Sequence, residues 1–261
     1  MFKRARALDG GTMKEKDCCC TMLSIIVPTY NESGNIRQLA KDIFTALRSH
    51  GVEGELIIVD DNSPDGTGRM AEDLKTFYAV QVIHRAGKLG LATAVVEGFA
   101  AARYPILCVM DADLSHPASV LPDMLAVIHS GEADLVIGSR FVSGGGMEKW
   151  PWYRRFVSWV ARSLARPLTA VMDNTSGFLM FRREVIEGVP LNPLGFKIGL
   201  EIIVKGRYER VREWPILFTD RLAGKSNLGG KQIGEYLLQL GQLHWYRWTQ
   251  APRTGRARAA E

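Results

Sequence analysis

From Leu23 onward, short apolar runs alternate with longer segments in which apolar positions recur every three or four residues. Leu23 to Val27, Leu56 to Val59, Val80 to Ile83, Ile106 to Met110 and Leu135 to Ile137 are too brief for helices and apolar at nearly every position, which predicts strands buried on both faces. Between them, Asn35 to Ser49, Gly66 to Thr76, Leu91 to Arg103 and Ala118 to Ser130 carry the helical period. That order predicts an α/β fold, a mostly parallel central sheet flanked by helices. After Ile137 the rhythm breaks. Trp150 to Arg166 is predicted as an amphipathic helix with Arg154, Arg155, Ser158, Arg162 and Arg166 opposite Tyr153, Phe156, Val157, Val160 and Leu164, and with Trp159 at the margin. It carries no acid to pair with those arginines, so the stripe is either a solvated face or a seat for anions. Ile233 to Trp248 is predicted as another, with Ile233, Leu237, Leu240 and His244 along one side and Tyr236, Leu243, Trp245 and Trp248 nearby, suited to a membrane interface or to covering the sheet.

In open α/β sheets ligands bind beyond the carboxyl ends of the strands. The polar clusters of this chain fall there: Pro28 to Glu32, Asp60 to Thr67, His84-Arg85, Asp111-Ala112-Asp113 and Gly138-Ser139-Arg140. Asp111 and Asp113 are spaced i and i+2, so in an extended backbone both carboxylates share a face and can reach one cation. Hard oxygen ligands of this kind suit Mg²⁺ or Mn²⁺, which keep waters and are completed by substrate phosphates; a polar turn closing a buried strand is the plainer reading of the same residues. No Gly-x-Gly-x-x-Gly follows the first strand and no Gly-x-x-x-x-Gly-Lys-Ser/Thr occurs, which argues against dinucleotide dehydrogenases and P-loop NTPases. The acids favour a nucleotide held through base and ribose, with its diphosphate on a metal.

The 261 residues, 46% hydrophobic and 23% charged, are enough for one sizeable α/β domain with appendages. The charge of +5 sits at the ends: residues 1 to 20 hold five Lys/Arg against three acids and residues 247 to 261 four Arg against one Glu, leaving the body neutral. Such tails serve solubility or a weak attraction to an anionic surface. A neutral body without a recognised module excludes nucleic acid as the principal partner. Cys18, Cys19 and Cys20 are adjacent and Cys108 lies in an apolar run, so the spacing gives neither a disulfide framework nor a zinc site and a reducing cytosol is expected. The cysteine triplet is expected as plain thiols, with S-acylation the alternative. Neither a signal-peptide core nor an apolar stretch of membrane-spanning length is found.

Pro28-Thr29-Tyr30-Asn31-Glu32, Val59 to Thr67, Arg85 to Gly90, Asp111 to Pro117 and Gly138-Ser139-Arg140 together resemble family 2 glycosyltransferases, and within them the polyprenyl or dolichyl phosphate mannose synthases lacking C-terminal transmembrane helices. The similarity runs from Leu23 to about Trp248. It implies a GT-A nucleotide-diphospho-sugar transferase fold with a seven-stranded core and interfacial helices in the C-terminal half. The domain plan is then a disordered basic leader at 1–21 and a single GT-A domain at 22–248, with a disordered basic tail at 249–261. Within the domain, 22–140 is the nucleotide-binding half and 141–248 the acceptor and membrane-interface half.

By the same resemblance Pro28, Tyr30, Glu32 and Asp61 embrace the guanosine of GDP-mannose, and Lys88, Ala112, Arg221 and Lys225 join the donor site. Asp111, Asp113 and Ser115 hold Mg²⁺ or Mn²⁺ on the diphosphate. Arg140, Arg154 and Ser158, an Arg and a Ser one turn apart on the helix, take the phosphate of a polyprenyl or dolichyl phosphate acceptor. Asp113, Arg140 and Arg221 are expected to carry catalysis. Asp173 to Phe178 and Arg221 to Ser226 resemble two further family segments, the second a loop that closes over the donor; Asn227 stands where relatives carry Lys, and Ala92 where they often have Gly. An acceptor phosphate is already an anionic nucleophile, so inverting displacement needs positioning and electrostatics rather than a general base. No Gln-x-x-Arg-Trp of processive polysaccharide synthases occurs. Peripheral binding to the cytosolic face of the plasma membrane or endoplasmic reticulum, directly or through membrane subunits, is the implied location. A UDP-sugar donor such as UDP-glucose, or a non-catalytic nucleotide-sugar-binding subunit of a membrane glycosylation complex, are the alternatives.

Overall fold

The computed structural model describes residues 22–148, 151–192, 197–219, 230–249 and 258–259. The five predicted strands form as β1 (Met22–Thr29), β2 (Glu53–Asp60), β3 (Val80–His84), β4 (Ile106–Val109) and β5 (Leu135–Ser139). The helices between them are α1 (Ile36–Ser49), α2 (Thr67–Leu74), α3 (Leu91–Ala101) and α4 (Leu121–His129), the last entered by a short 3₁₀ turn at Ala118–Val120. The chain continues through β6 (Gly146–Met147), α5 (Trp152–Ala165), β7 (Leu179–Arg182), α6 (Ile198–Lys205), β8 (Arg210–Pro215), β9 (Leu217–Phe218), α7 (Gly230–Thr249) and β10 (Arg258–Ala259). The main sheet runs β10-β8-β5-β7-β4-β1-β2-β3, and β6 pairs with β9 apart from it. Without the two-residue β10, the main sheet has the seven strands that the resemblance implies.

All pairings in this sheet are parallel except those of β7, which lies antiparallel between β4 and β5. Since β7 runs backwards, the residues entering it, Asp173 to Gly177, arrive at the edge where β4 and β5 leave. This reversal brings a sixth polar segment to the crevice. Alternate strand residues build two cores: Leu23, Ile25, Val27, Leu56 and Ile58 with α1, α2 and α4 on one face, and Ile26, Ile57, Val59, Leu107 and Val109 with α3 and α6 on the other. A third cluster joins Ala165, Leu168 and Leu200 to Tyr236, Leu240 and Leu243 of α7. The side of α7 that the sequence groups as Ile233, Leu237, Leu240 and His244 is therefore divided. Tyr236, Leu240 and Leu243, at i, i+4 and i+7, face inward, while Ile233, Leu237, Leu238, Trp245 and Trp248 are exposed.

Helix and sheet approach closely at Gly98 of α3, where an added Cβ would overlap Ile26 Cγ2 and press within 3.3 Å of Val59. Alanine favours a helix interior over glycine by about 1 kcal/mol, but overpacking a rigid core costs about 1–3 kcal/mol. Because Ile26 and Val59 are fully buried, the clash should win. Gly98→Ala is expected to lower unfolding stability by about 1 kcal/mol, read as a lower urea midpoint at unchanged slope; a raised midpoint would show that β1 yields.

Candidate active site

Each strand end contributes one layer of the site. Two loops face each other beyond β1 and β2, with Asn31 and Asn62 both in the left-handed region (φ 61° and 56°), which short polar side chains tolerate. Thr29 and Ser63 both donate to the buried Asp60, so this carboxylate stitches the loops together. Asp61, also buried, takes the Gly90 N–H at 2.8 Å on one oxygen and the Arg85 guanidinium on the other. Arg85 also reaches Glu97, Thr93 and the Gly90 carbonyl, so Asp61 orders the segment that carries Lys88. Lys88 places its ammonium 3.7 Å from the centre of the half-exposed Tyr30 ring, a cation–π contact. Glu32 accepts from Asn35 at 2.7 Å, while its backbone N–H donates to Thr67. Pro28 lies within β1 opposite Val59. The expected donor residues of the first half thus gather at the mouth of β1 and β2.

Beyond β4, Asp111 is partly exposed and Asp113 buried. Leu114 has φ 61°, and this tight turn lets Ser115 donate both its N–H (3.1 Å) and its hydroxyl (2.5 Å) to one oxygen of Asp113. Ser115, an expected metal ligand, is buried and aims Asp113; Ala112, an expected donor residue, packs into the core. His116 stacks on Phe178 with ring centres 5.1 Å apart, and burial, offset in part by the two aspartates, holds its imidazole below the usual pKa. Its Nδ1 accepts from the Asp111 N–H at 3.3 Å, which assigns the proton to Nε2, 4.0 Å from the Asp111 carboxylate. On the far side, a Cβ on Gly177 would meet both Asp111 oxygens at 3.2–3.3 Å. Glycine there leaves the carboxylate uncovered. Among the described residues no group of three His, Cys, Asp or Glu could hold a metal alone. Two carboxylates with a hydroxyl behind them suit Mg²⁺ or Mn²⁺ completed by waters and phosphate oxygens.

The third layer joins β5, the loop before β7, and α6. Arg140 donates from Nε (2.8 Å) and Nη2 (2.7 Å) to the two oxygens of Asp173, and its backbone N–H adds a third bond. Burial raises the Asp173 carboxyl, but the bonds and charge of Arg140 more than offset it and leave its pKa below the ordinary value. Glu213 of β8 fixes the loop by accepting the N–H groups of Met172 and Asp173. Lys197, which the sequence reading passed over, donates its ammonium to the Thr175 carbonyl at 2.9 Å. Burial and the nearby Arg140 push its pKa down to about 8 against the pull of Asp111 and Asp173. A lone lysine inside the apolar run Leu194 to Leu200 was its only trace in sequence.

The arginine stripe of α5 does not lie on its most exposed face. Arg154, Ser158 and Arg162 are half-buried on the side toward the body, whereas Trp152, Tyr153, Phe156 and Trp159 are exposed. Arg155 and Arg166 are exposed as well. Tyr236 of α7 bonds the Ala161 carbonyl at 2.8 Å and ties the two helices together. Arg221 and Lys225, with Ser226 and Asn227, lie outside the described residues, as do residues 1–21 and most of the C-terminal tail; the described stretch before them ends at Thr219, whose hydroxyl donates to the Leu114 carbonyl beside Asp113.

Comparisons with known proteins agree with this architecture. The family model described as glycosyl transferase family 2 matches residues 24–189. A dolichol-phosphate mannosyltransferase of Pyrococcus furiosus is 44% identical over 85% of this chain, which spans 63% of that relative's length. The dolichol-phosphate mannosyltransferase of Saccharomyces cerevisiae is 38% identical over 86% of this chain and 88% of its own. A polyprenol monophosphomannose synthase of Mycolicibacterium smegmatis is 36% identical over 90% and 89%. Among solved structures, glucosyl-3-phosphoglycerate synthase of Mycobacterium tuberculosis with Mn²⁺, UDP-glucose and phosphoglyceric acid superposes with a TM-score of 0.64 at 20% identity, covering 95% of this chain and 87% of that one. At that identity the likeness speaks for the fold, and the sequence relatives speak for descent: this chain belongs to glycosyl transferase family 2.

Proposed function

We propose that this glycosyltransferase moves mannose from GDP-mannose to a polyprenyl (dolichyl) phosphate, with inversion and release of GDP. The observation that carries the reading is that the loop entering β7 joins two features: its Gly177 lies against Asp111, and its Met172 and Asn174 bond Arg162 of α5, a helix that keeps Arg154 and Ser158 half-buried and its aromatic rings exposed. Residues 22–140 serve the donor and 141–248 the acceptor, within one domain. Pro28, Tyr30, Glu32, Asp61 and Lys88 would hold the nucleotide. Asp111 and Asp113, with Ser115 behind them, would hold Mg²⁺ or Mn²⁺, which when bound neutralises charge on the departing diphosphate. Arg221 and Lys225 would close on that diphosphate from the loop. Arg140, Arg154 and Ser158 would orient the acceptor, whose phosphate needs no general base. His116, neutral and stacked, keeps Asp111 in place without competing for charge. The exposed rings of α5 and α7 suit the headgroup region of a bilayer, where aromatic side chains keep one apolar side and one wet side. No helix among the described residues is long and apolar enough to cross a membrane. The proposed association is peripheral, on a cytosolic face, directly or through a membrane subunit.

The test is transfer by the purified full chain, with vesicles carrying a prenyl phosphate and with the lipid product identified by mass spectrometry. Mannosyl phosphoprenol is expected from GDP-mannose with Mn²⁺ or Mg²⁺, and none in excess chelator. A second reading rests on the fold-level likeness to a structure with UDP-glucose bound; inhibition by UDP rather than GDP, with a glucosyl lipid product, would favour it. Donor binding without turnover on any prenyl phosphate would mark a non-catalytic subunit instead.

A further inference from the structure

We propose that Arg162 is a further acceptor-phosphate residue, meeting the lipid phosphate from the α5 side one turn beyond Ser158. This rests on the reading of the acceptor as a prenyl phosphate. Of the two guanidinium groups beside the Phe141 ring, that of Arg140 lies with Cζ 5.4 Å from the ring centre and that of Arg162 with Cζ 3.5 Å from it. Their electrostatic situations differ. Arg140 is bound bidentately by Asp173, so its charge is matched inside the protein. Arg162 forms no ion pair among the described residues. Its Nη1 donates to the Met172 carbonyl at 3.2 Å, and its Nε is buried without a hydrogen-bond partner. The neighbouring Asn174 also has a buried, unpartnered Oδ1, while its amide donates to the Arg162 carbonyl.

A partly desolvated cation that lacks a counter-anion is held at a cost, and a ligand anion removes that cost. Burial, aided by the nearby charges of Arg140 and Arg166, lowers the Arg162 pKa against the pull of Asp173 and Glu213, the sign expected of a cation short of compensation. Arg154, Ser158 and Arg162 stand at i, i+4 and i+8, so each arginine is about 6 Å along the axis from the serine. That is within reach of an arginine side chain, and a phosphate on the Ser158 hydroxyl could be gripped from both directions. The Phe141 ring backs the Arg162 guanidinium, and a planar guanidinium stacked in this way keeps its edge for phosphate binding.

The experiment measures binding of farnesyl phosphate and of farnesol to the full chain by intrinsic tryptophan fluorescence, without donor or metal, for wild type, Arg162→Gln and Arg162→Lys. It is paired with steady-state kinetics on farnesyl phosphate. Arg162→Gln is expected to weaken farnesyl phosphate about tenfold and leave farnesol unchanged, with Arg162→Lys recovering part of the loss. The kinetic counterpart is a higher KM for the acceptor at unchanged KM for the donor. Equal losses for farnesyl phosphate and farnesol, or none for either, would overturn the assignment, and so would a rise in donor KM alone. If Arg162→Gln does not fold, Arg162→Lys decides: a reduced preference for the phosphate over the alcohol, with farnesol affinity kept, supports the assignment, and wild-type selectivity or loss of both affinities together refutes it. A wild type that binds farnesyl phosphate through Arg162 yet transfers no mannose would defeat the donor reading and leave this one standing.

Discussion

Asp113→Asn should reduce transfer about a thousandfold while leaving the fold intact. Asp113 is buried, and both bonds from Ser115 fall on a single oxygen, so an asparagine can keep them by presenting its amide carbonyl to Ser115. What it cannot keep is the negative charge. Electrostatic elements of this kind are each worth about 3–4 kcal/mol of barrier, which is roughly a factor of 10²–10³ in rate. The expected signature is a collapse of kcat/KM together with weaker Mn²⁺ binding by calorimetry, at a thermal midpoint close to that of the wild type. Activity within tenfold of wild type would remove the acidic pair from the mechanism.

The largest effect on stability is expected at Asp173. Removing one partner of a buried ion pair leaves the other charge stranded, at a cost of about 3–5 kcal/mol. Asp173 is fully buried and Arg140 nearly so, and the carboxylate also orders the loop before β7. Asp173→Ala should therefore lose about that much in urea unfolding. The acid dependence supplies an independent check. Because the folded-state carboxyl titrates below its unfolded value, its contribution is present above pH of about 4 and is lost as pH falls through the lower, folded value. The stability gap between wild type and variant should narrow below pH 4. Parallel curves through that range would mean that the pair carries little net energy.

How much of this was readable beforehand depended on whether the information was local. The first five strands and four helices declare themselves through period and length, and the structure puts their ends within a few residues of expectation. β7 escaped because Leu179–Arg182 is only four residues long and directly follows a polar loop, so nothing nearby signals a strand, still less a reversed one inserted between two parallel neighbours. β8 escaped because Arg210, Arg212 and Glu213 interrupt its apolar positions; lying near the sheet's margin, it buries Val211 and leaves the rest partly or fully exposed. In the site, Asp111 and Asp113 are legible because their relation is a spacing of two. The bond between Arg140 and Asp173 spans 33 residues and that between Lys197 and Thr175 spans 22, so neither partner could be inferred from its surroundings in sequence. The orientation of α5 was undetermined for a related reason. Helical period separates two faces, but only the packing partner decides which one turns inward.

The reversed strand has a practical corollary. Since every polar segment of the site, including the one that enters β7, reaches the same rim of the sheet, the opposite rim is left with joints that touch no chemistry: His50 to Val52, Lys75 to Ala79 and Ser130 to Asp134. Fluorescent reporters, affinity handles or new chain ends grafted at those joints would sit a full strand length from the reacting atoms, so the molecule offers an engineer a back door that opens away from the bench where it works.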